Sequence, residues 1–272
     1  MNHPHSCKIG NVEFGAGKLA LIAGPCMAES LSMCLDIAGA MRDACAKLDI
    51  GYVFKASYDK ANRSSVESYR GPGLETGLSW LVEVKKQIGV PVLSDVHETS
   101  QCEAAGKVLD CLQIPAFLCR QTDLLVAAGR TGKTVNAKKG QFMSPQEMKL
   151  AAEKIRSAGN AGVLLTERGT FFGYNRLVTD FRSIPQMREF APVVFDATHS
   201  VQEPGALGVA SGGQRQYAPM LAKAAMAAGA DALFIETHPE PEKARSDAAL
   251  QIPLSQMPEL LAGCLALFLA AR

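Results

Sequence analysis

Eight short runs of apolar and β-branched residues recur along the chain, each followed by a longer segment with a helical apolar period, and this alternation narrows the fold more than any other feature. The runs read as strands at Leu19–Ala23, Tyr52–Ala56, Val92–Asp95, Cys111–Ile114, Thr134–Ala137, Val163–Thr166, Val193–Asp196 and Ala232–Ile235. The segments between and after them predict helices over about Leu31–Leu48, Leu74–Ile88, Ser100–Val108, Thr122–Gly129, Pro145–Ala158, Ser183–Phe190, Tyr217–Ala228 and Leu254–Leu269. Pro145 is a favourable first-turn residue behind a Ser144 cap. Strands this short and this apolar belong to a parallel sheet covered on both faces. Repeating strand and helix eight times, with no linker or composition break, predicts an α/β fold, a (β/α)8 TIM barrel, as one domain over residues 1–272. Ahead of the first strand, K-I-G-N-V-E-F-G predicts a β-hairpin that turns at Gly10-Asn11 and caps the barrel bottom.

An apolar fraction of 47% is enough for a large core, and a net charge of +1 provides no global field for nucleic acid or an anionic membrane. The eight cysteines show neither a framework spacing nor a C-x-x-C pair, which predicts free thiols in a reducing compartment. M-N-H-P-H-S-C-K carries no apolar signal region, and the apolar stretch Leu260–Ala271 falls short of the roughly 20 residues that span a bilayer. The expectation is a soluble cytoplasmic protein.

In such barrels, function gathers at the C-terminal ends of the strands and the loops that follow. Reading the eight ends in order gives Cys26, Lys55, Asp95, Gln113, Lys138, Glu167 with Arg168, His199 and Glu236. Cys26, His199 and Glu236, with Asp247 a few residues further on, make a thiolate, an imidazole and two carboxylates. That set suits a divalent transition metal (Fe, Zn, Co or Mn) better than Mg. Each member alone has a plainer explanation. Cys26 is otherwise a small buried hydrophobe and His199 a hydrogen-bonded structural histidine, while Glu236 and Asp247 would pair with Lys243 or Arg245. Jointly these explanations weaken, because strands seven and eight are neighbours and strand one closes beside strand eight. His97 and His238 rank below these four as ligands, since neither holds a strand's first outward position.

The segment F-K-A-S-Y-D-K-A-N-R-S-S contributes Lys55, Lys60, Asn62, Arg63, Ser64 and Ser65, a mixture of donors suited to a phosphate monoester and sugar hydroxyls. Its plain alternative is a solvated loop, but lysines on an internal strand must find an anion. Lys138 and Arg168 extend the same cationic floor, enough for two phosphorylated or carboxylated substrates. A strand-end lysine also fits a Schiff-base aldolase, which needs one isolated, desolvated amine. Crowded cations beside a predicted metal favour phosphate clamping instead. S-G-G-Q-R, Ser211 to Arg215, reads as a loop that closes over the site.

At G-P-C-M-A-E-S, F-K-A-S-Y-D-K-A-N-R-S-S, N-A-K-K-G-Q-F-M-S-P, E-R-G-T-F-F-G-Y-N, D-A-T-H-S-V-Q and F-I-E-T-H-P-E-P the chain resembles the 3-deoxy-D-manno-octulosonate 8-phosphate synthases. The likeness runs in order from about residue 8 to 270. K-A-N-R-S-S is its most telling part, since the related heptulosonate 7-phosphate synthases carry a Lys-Pro-Arg-Thr-like segment there. The resemblance implies condensation of phosphoenolpyruvate with D-arabinose 5-phosphate, releasing phosphate, on the route to lipopolysaccharide. It implies that Lys55, Lys60, Gln113, Lys138 and Arg168 grip phosphoenolpyruvate and that Asn62, Arg63 and Ser64 hold the aldose phosphate. It also implies that Arg120 reaches a neighbouring subunit's site in a homotetramer.

Cys rather than Asn at position 26, together with Asp247 in S-D-A-A-L-Q-I-P-L, resembles the metal-dependent branch of that family. His199, Cys26, Asp95 and Lys138 are then the catalytic candidates. Asp95 and Glu236 both remain open as the group that moves protons. Two departures fall in the loop after strand seven: Glu203, where an uncharged residue is usual, and Gln216-Tyr217, where an acidic-aromatic pair is common. The rival readings are a heptulosonate synthase using erythrose 4-phosphate, with Asn62 as discriminator, and a non-catalytic phosphometabolite sensor. The sensor would lack a lysine or ligand at some strand end, and none is missing.

Overall fold

Six of the eight barrel strands carry an apolar side chain and, two residues further on the same face, a polar one, and this places the chemistry. The computed structural model describes residues 5–63, 65–159, 162–206 and 212–272. Its central sheet runs β1 (Ala20–Gly24), β2 (Gly51–Lys55), β3 (Val92–Asp95), β4 (Cys111–Ile114), β5 (Thr134–Lys138), β6 (Val163–Glu167), β7 (Val193–Asp196) and β8 (Ala232–His238). Neighbours in the chain are parallel neighbours in the sheet. The ring closes where β8 pairs with β1, Ala232 opposite Ala20. The helices α1 (Leu31–Lys47), α2 (Leu74–Ile88), α3 (Thr99–Val108), α4 (Thr122–Arg130), α5 (Met148–Arg156), α6 (Ser183–Arg188), α7 (Ala218–Ala227) and α8 (Met257–Ala270) alternate with the strands. The expected TIM barrel is therefore the observed fold.

Side chains alternate faces along a strand, so residues two apart share one. Val53, Leu93, Cys111, Leu164, Val194 and Phe234 point into the barrel and pack together. Two positions on, the same faces present Lys55, Asp95, Gln113, Thr166, Asp196 and Glu236. The interior is thus dry at the bottom and ionic at the mouth. Ile9, Val12 and Phe14 of the N-terminal hairpin, Cys7–Ile9 paired with Val12–Phe14, complete the lower cluster, as expected of a cap. Gly10 makes its turn at φ +57, a conformation that costs glycine little. Gly24 is required for another reason: a Cβ there would come 2.0 Å from the Lys55 carbonyl oxygen.

The outer faces of the strands bury Leu21, Phe54, Leu112, Leu165 and Phe195 against the helices. Three boundaries differ from expectation, the first being β8, which runs on to His238 and so takes Glu236 into the strand. α5 begins at Met148 because Ser144–Glu147 forms a turn of its own, and the Ser144 hydroxyl donates to the Glu147 carboxylate at 3.0 Å instead of capping a backbone N–H. α8 begins at Met257, after a 3-10 turn at Leu254–Gln256. Among the described residues no helix is long and apolar enough to cross a membrane.

Candidate functional site

The ends of the strands surround a cavity of about 770 Å³ at the barrel mouth. Lys138 and Lys55 line it, their ammoniums 3.8 Å and 5.6 Å from the centroid of the buried Phe234 ring. Cation–π attraction contributes here because both ammoniums are desolvated. The lysines of the expected cationic floor find their anions within the chain. Lys55 Nζ lies 2.6 Å from Glu236 Oε1 and donates to the Cys26 carbonyl at 2.8 Å, while Lys138 Nζ lies 2.6 Å from Asp196 Oδ2. The reason is energetic, since an unpaired buried ammonium costs several kcal/mol. Arg168 keeps unused donors: Nη2 donates to Gln202 Oε1 at 2.9 Å, but buried Nε and Nη1 have no partner among the described residues. A guanidinium held in that state is a receptor for a carboxylate or phosphate.

Around the floor, the predicted residues converge. Gln113 receives a hydrogen bond at Oε1 from Asn136 at 3.1 Å, and Asn136 in turn accepts from Thr166 at 2.7 Å. This chain fixes the Gln113 amide so that its NH2 group faces the cavity. Lys60 donates to Ser57 at 2.9 Å, and Ser57 donates to Asp95. Burial would push the Asp95 carboxyl up, but the hydrogen bond from His97 and the nearby Lys60 and Lys55 charges hold it far below the usual carboxylate range. Asn62 and Arg63 line the outer wall, and Arg63 is steadied by the Tyr69 and Arg245 carbonyls at 3.2 and 2.9 Å. Ser64 lies outside the described residues. Arg120 is exposed and lines a separate cleft with Glu147 and Lys154. Within one chain it does not reach the cavity.

The four metal candidates meet at one side of the mouth. Ligand atoms of Cys26, Glu236 and Asp247 lie within 4.8 Å of one another. His199 Nε2 stands 3.6 Å from Asp247 Oδ2 and 3.8 Å from Glu236 Oε2. Neither Glu236 nor Asp247 takes the bridge to Lys243 or Arg245; Lys243 pairs with Glu240 and Arg245 lies over the Tyr69 ring. Asp247 is held at φ +47, unusual for a residue other than glycine and a form of strain that concentrates at functional sites. Cys26 is oriented by Gln251, whose Oε1 accepts its N–H at 3.0 Å.

The donor set fits a divalent cation. Glu236 Oε2 is buried with no hydrogen-bond partner among the described residues, and it points toward the His199 nitrogen, too far away to bond. Burial and the Asp247 and Glu236 charges push the Cys26 thiol up, so without a cation the sulfur stays protonated among carboxylates. A metal ion at this point reverses that field. His199 Nδ1 lies 2.8 Å from Asp196 Oδ2, and Asp196 is held ionised by His199, Lys138 and Arg168 despite its burial. An ionised carboxylate only accepts, so Nδ1 carries the proton and Nε2 is left free to ligate.

Sequence reading missed Asp196, Asn136, Gln202, Gln251 and Phe234. Asp196, Asn136 and Phe234 share an inward face with residues already identified, so alternation along the strand signals them. Gln202 and Gln251 carry no such signal. In the loop after β7, Glu203 accepts from Gln214 at 2.6 Å and lies 3.6 Å from Arg176, while Gln202–Glu203 pairs with Gly212–Gly213. Ser211 lies outside the described residues, and Gln216 and Tyr217 form a 3-10 turn ahead of α7.

Comparison with known proteins gives one consistent family. A family model described as the DAHP synthetase I family matches residues 4–264. The 2-dehydro-3-deoxyphosphooctonate aldolase of Syntrophotalea carbinolica is 56% identical, the match covering 95% of this chain and 94% of its own. Proteins of the same name from Koribacter versatilis and Fusobacterium nucleatum are 54% and 51% identical, covering 97% and 96% of this chain and 95% of each relative.

Proposed function

This chain belongs to the DAHP synthetase I family, and from that premise we infer that it is a 2-dehydro-3-deoxyphosphooctonate aldolase acting in the synthetic direction. It condenses phosphoenolpyruvate and D-arabinose 5-phosphate with water, giving 3-deoxy-D-manno-octulosonate 8-phosphate and inorganic phosphate. Names shared by relatives more than half identical over nearly the whole chain support the reaction. The observation that carries it to this chain is Arg168, a buried guanidinium that lines the cavity with Lys138 and Gln113 and has two nitrogens without a partner among the described residues.

In this reading Arg168, Lys138, Lys55, Lys60 and Gln113 hold the phosphate and carboxylate of phosphoenolpyruvate. Asn62 and Arg63 hold the aldose phosphate at the outer wall, and Ser64 is assigned to the same phosphate. C3 of the enol forms a bond to the aldehyde carbon, whose oxygen takes a proton, while water adds at C2 and gives up a proton. The resulting hemiketal phosphate then breaks its C–O bond and expels phosphate. Lys138 and Arg168 offset the charge that gathers on the departing phosphate. Asp95 stays ionised, so the proton carrier next to it is His97, 3.0 Å away, whose pKa the Asp95 charge and hydrogen bond raise against the opposing effect of burial.

Cys26, His199, Glu236 and Asp247 hold a divalent transition metal, Fe, Zn, Co or Mn. When bound there, such an ion supplies Lewis acidity to a carbonyl or to water. The protein works in the cytoplasm as a homotetramer, and Arg120 of each subunit serves a neighbour's aldose phosphate. Product use is in lipopolysaccharide precursor synthesis.

Phosphate release measured with phosphoenolpyruvate and each aldose tests the reading. Turnover with arabinose 5-phosphate well above that with erythrose 4-phosphate is expected. The opposite preference would overturn it in favour of a heptulosonate synthase.

A further inference from the structure

Asp196 belongs to neither substrate set nor metal set, yet it touches both. It is completely buried at the end of β7. Its Oδ2 accepts from Lys138 Nζ at 2.6 Å and from His199 Nδ1 at 2.8 Å. Its Oδ1 accepts from the Thr198 hydroxyl at 3.0 Å and the His199 N–H at 2.9 Å. The Ser200 hydroxyl donates to its carbonyl at 2.6 Å. With this many bonds the carboxylate cannot turn, so its two partners on Oδ2 compete for one fixed oxygen.

We propose that Asp196 is a positioning residue that couples the phosphoenolpyruvate floor to the metal corner, so that an anion on Lys138 and a cation on His199 each tighten the other. The proposal rests on the function inferred above for the two sides.

The physical basis is charge sharing. Without substrate, Asp196 is the one acceptor found for the Lys138 ammonium among the described residues, and the face of Phe234 takes its remaining exposure. An incoming carboxylate or phosphate draws hydrogen bonds from that ammonium. The Asp196 oxygen then leans more strongly on the imidazole N–H, and Nε2 becomes a better donor to a cation. Linkage makes the effect reciprocal: metal on His199 must strengthen anion binding by the same factor. Lys55 and Glu236 form a second, parallel contact between the two sides, so removing Asp196 reduces the coupling without erasing it.

Binding, and not turnover, is the decisive readout. Co(II) is titrated into metal-stripped protein, with free Co(II) set by a chelating buffer, following the near-ultraviolet absorption of a thiolate ligand. The titration is run with and without saturating phosphoenolpyruvate. Expected for the native protein is a Co(II) affinity at least about fivefold higher with phosphoenolpyruvate present, within the usual range of site-to-site coupling. In Asp196→Asn, which keeps the shape and removes the charge, the factor should fall at least about threefold.

Lys138→Met cuts the other arm while leaving the Asp196–His199 bond, and should reduce the factor similarly; it decides the matter alone if Asp196→Asn does not fold. No coupling in the native protein, or a factor in both variants equal to the native one, overturns the proposal. Failure of phosphoenolpyruvate to bind the native protein at all would instead remove the functional reading, and this inference with it.

Discussion

Cys26 Sγ and Asp247 Oδ2 stand 3.3 Å apart although 221 positions separate the residues in the chain. Nothing local brings them together. Cys26 follows β1 and Asp247 follows β8, and it is the closing of the ring between those two strands that makes them neighbours. The Ser246 hydroxyl, 3.1 Å from the same sulfur, completes the contact. A thiol held this way among carboxylates is unfavourable by itself and becomes favourable around a cation.

Replacing Cys26 by alanine should therefore lower bound metal and activity together. The expected loss in metal affinity is at least the roughly 10–100-fold that removal of a mere supporting partner costs. Metal analysis of the purified variant beside its phosphate-release rate checks this. Normal metal content would show that the sulfur is only a packed core thiol.

Glu236→Gln removes a ligand and also strands Lys55, its buried partner at 2.6 Å. Breaking a buried pair by removing one member costs about 3–5 kcal/mol, which corresponds to a lowering of the unfolding midpoint on the order of 5–10 °C. Scanning calorimetry on metal-free native and variant protein isolates that loss from the metal effect. An unchanged midpoint would mean that Lys55 finds another anion.

Arg168→Lys keeps the charge but not the fork that leaves Nε and Nη1 open. The KM for phosphoenolpyruvate should rise about tenfold or more, the cost of roughly one charge-assisted hydrogen bond, while the KM for the aldose changes little. Equal increases in both constants would place Arg168 outside the phosphoenolpyruvate subsite.

Stability of the metal-free protein should depend on pH through His97. Burial alone would lower its pKa, but the hydrogen bond and charge of Asp95 outweigh burial and lift it above the ordinary 6.5. A folded-state value raised above the unfolded one gives stability that is complete below about 6.5 and is lost as pH climbs through the raised value. His199 shifts in the same direction, so the comparison is between native protein and His97→Gln at each pH. The gap between their urea midpoints should be widest below about pH 6.5 and narrow as pH rises above it. A constant gap would mean that His97 does not titrate in that range.

Much of this could be read before any coordinates. The strand ends were legible because their apolar runs are short and because alternation fixes which residue points inward: Val53 implies Lys55, and Leu93 implies Asp95. The same rule implied Asp196 through Val194, but His199, three residues on, has the more conspicuous chemistry. What the chain could not disclose is how its charges pair. Lys55 with Glu236 and Lys138 with Asp196 are contacts across 181 and 58 positions, fixed only when the ring closes. The cationic floor read from the strand ends consequently includes the ion pairs Lys55–Glu236 and Lys138–Asp196, beside a guanidinium with two nitrogens unpartnered among the described residues. The turn at Ser144–Glu147 escaped for a local reason, since a Ser followed by Pro and, three residues on, Glu favours a helix start and a closed side-chain loop alike.

The account rests most heavily on a metal held by Cys26, His199, Glu236 and Asp247 beside the phosphoenolpyruvate floor. Its most direct test is phosphate release from phosphoenolpyruvate and arabinose 5-phosphate by protein stripped of metal and then reloaded. The rate should fall by at least about 100-fold on stripping and return with added divalent transition metal, as expected where Lewis acidity carries several kcal/mol of the barrier. Full turnover by a rigorously metal-free preparation would contradict it.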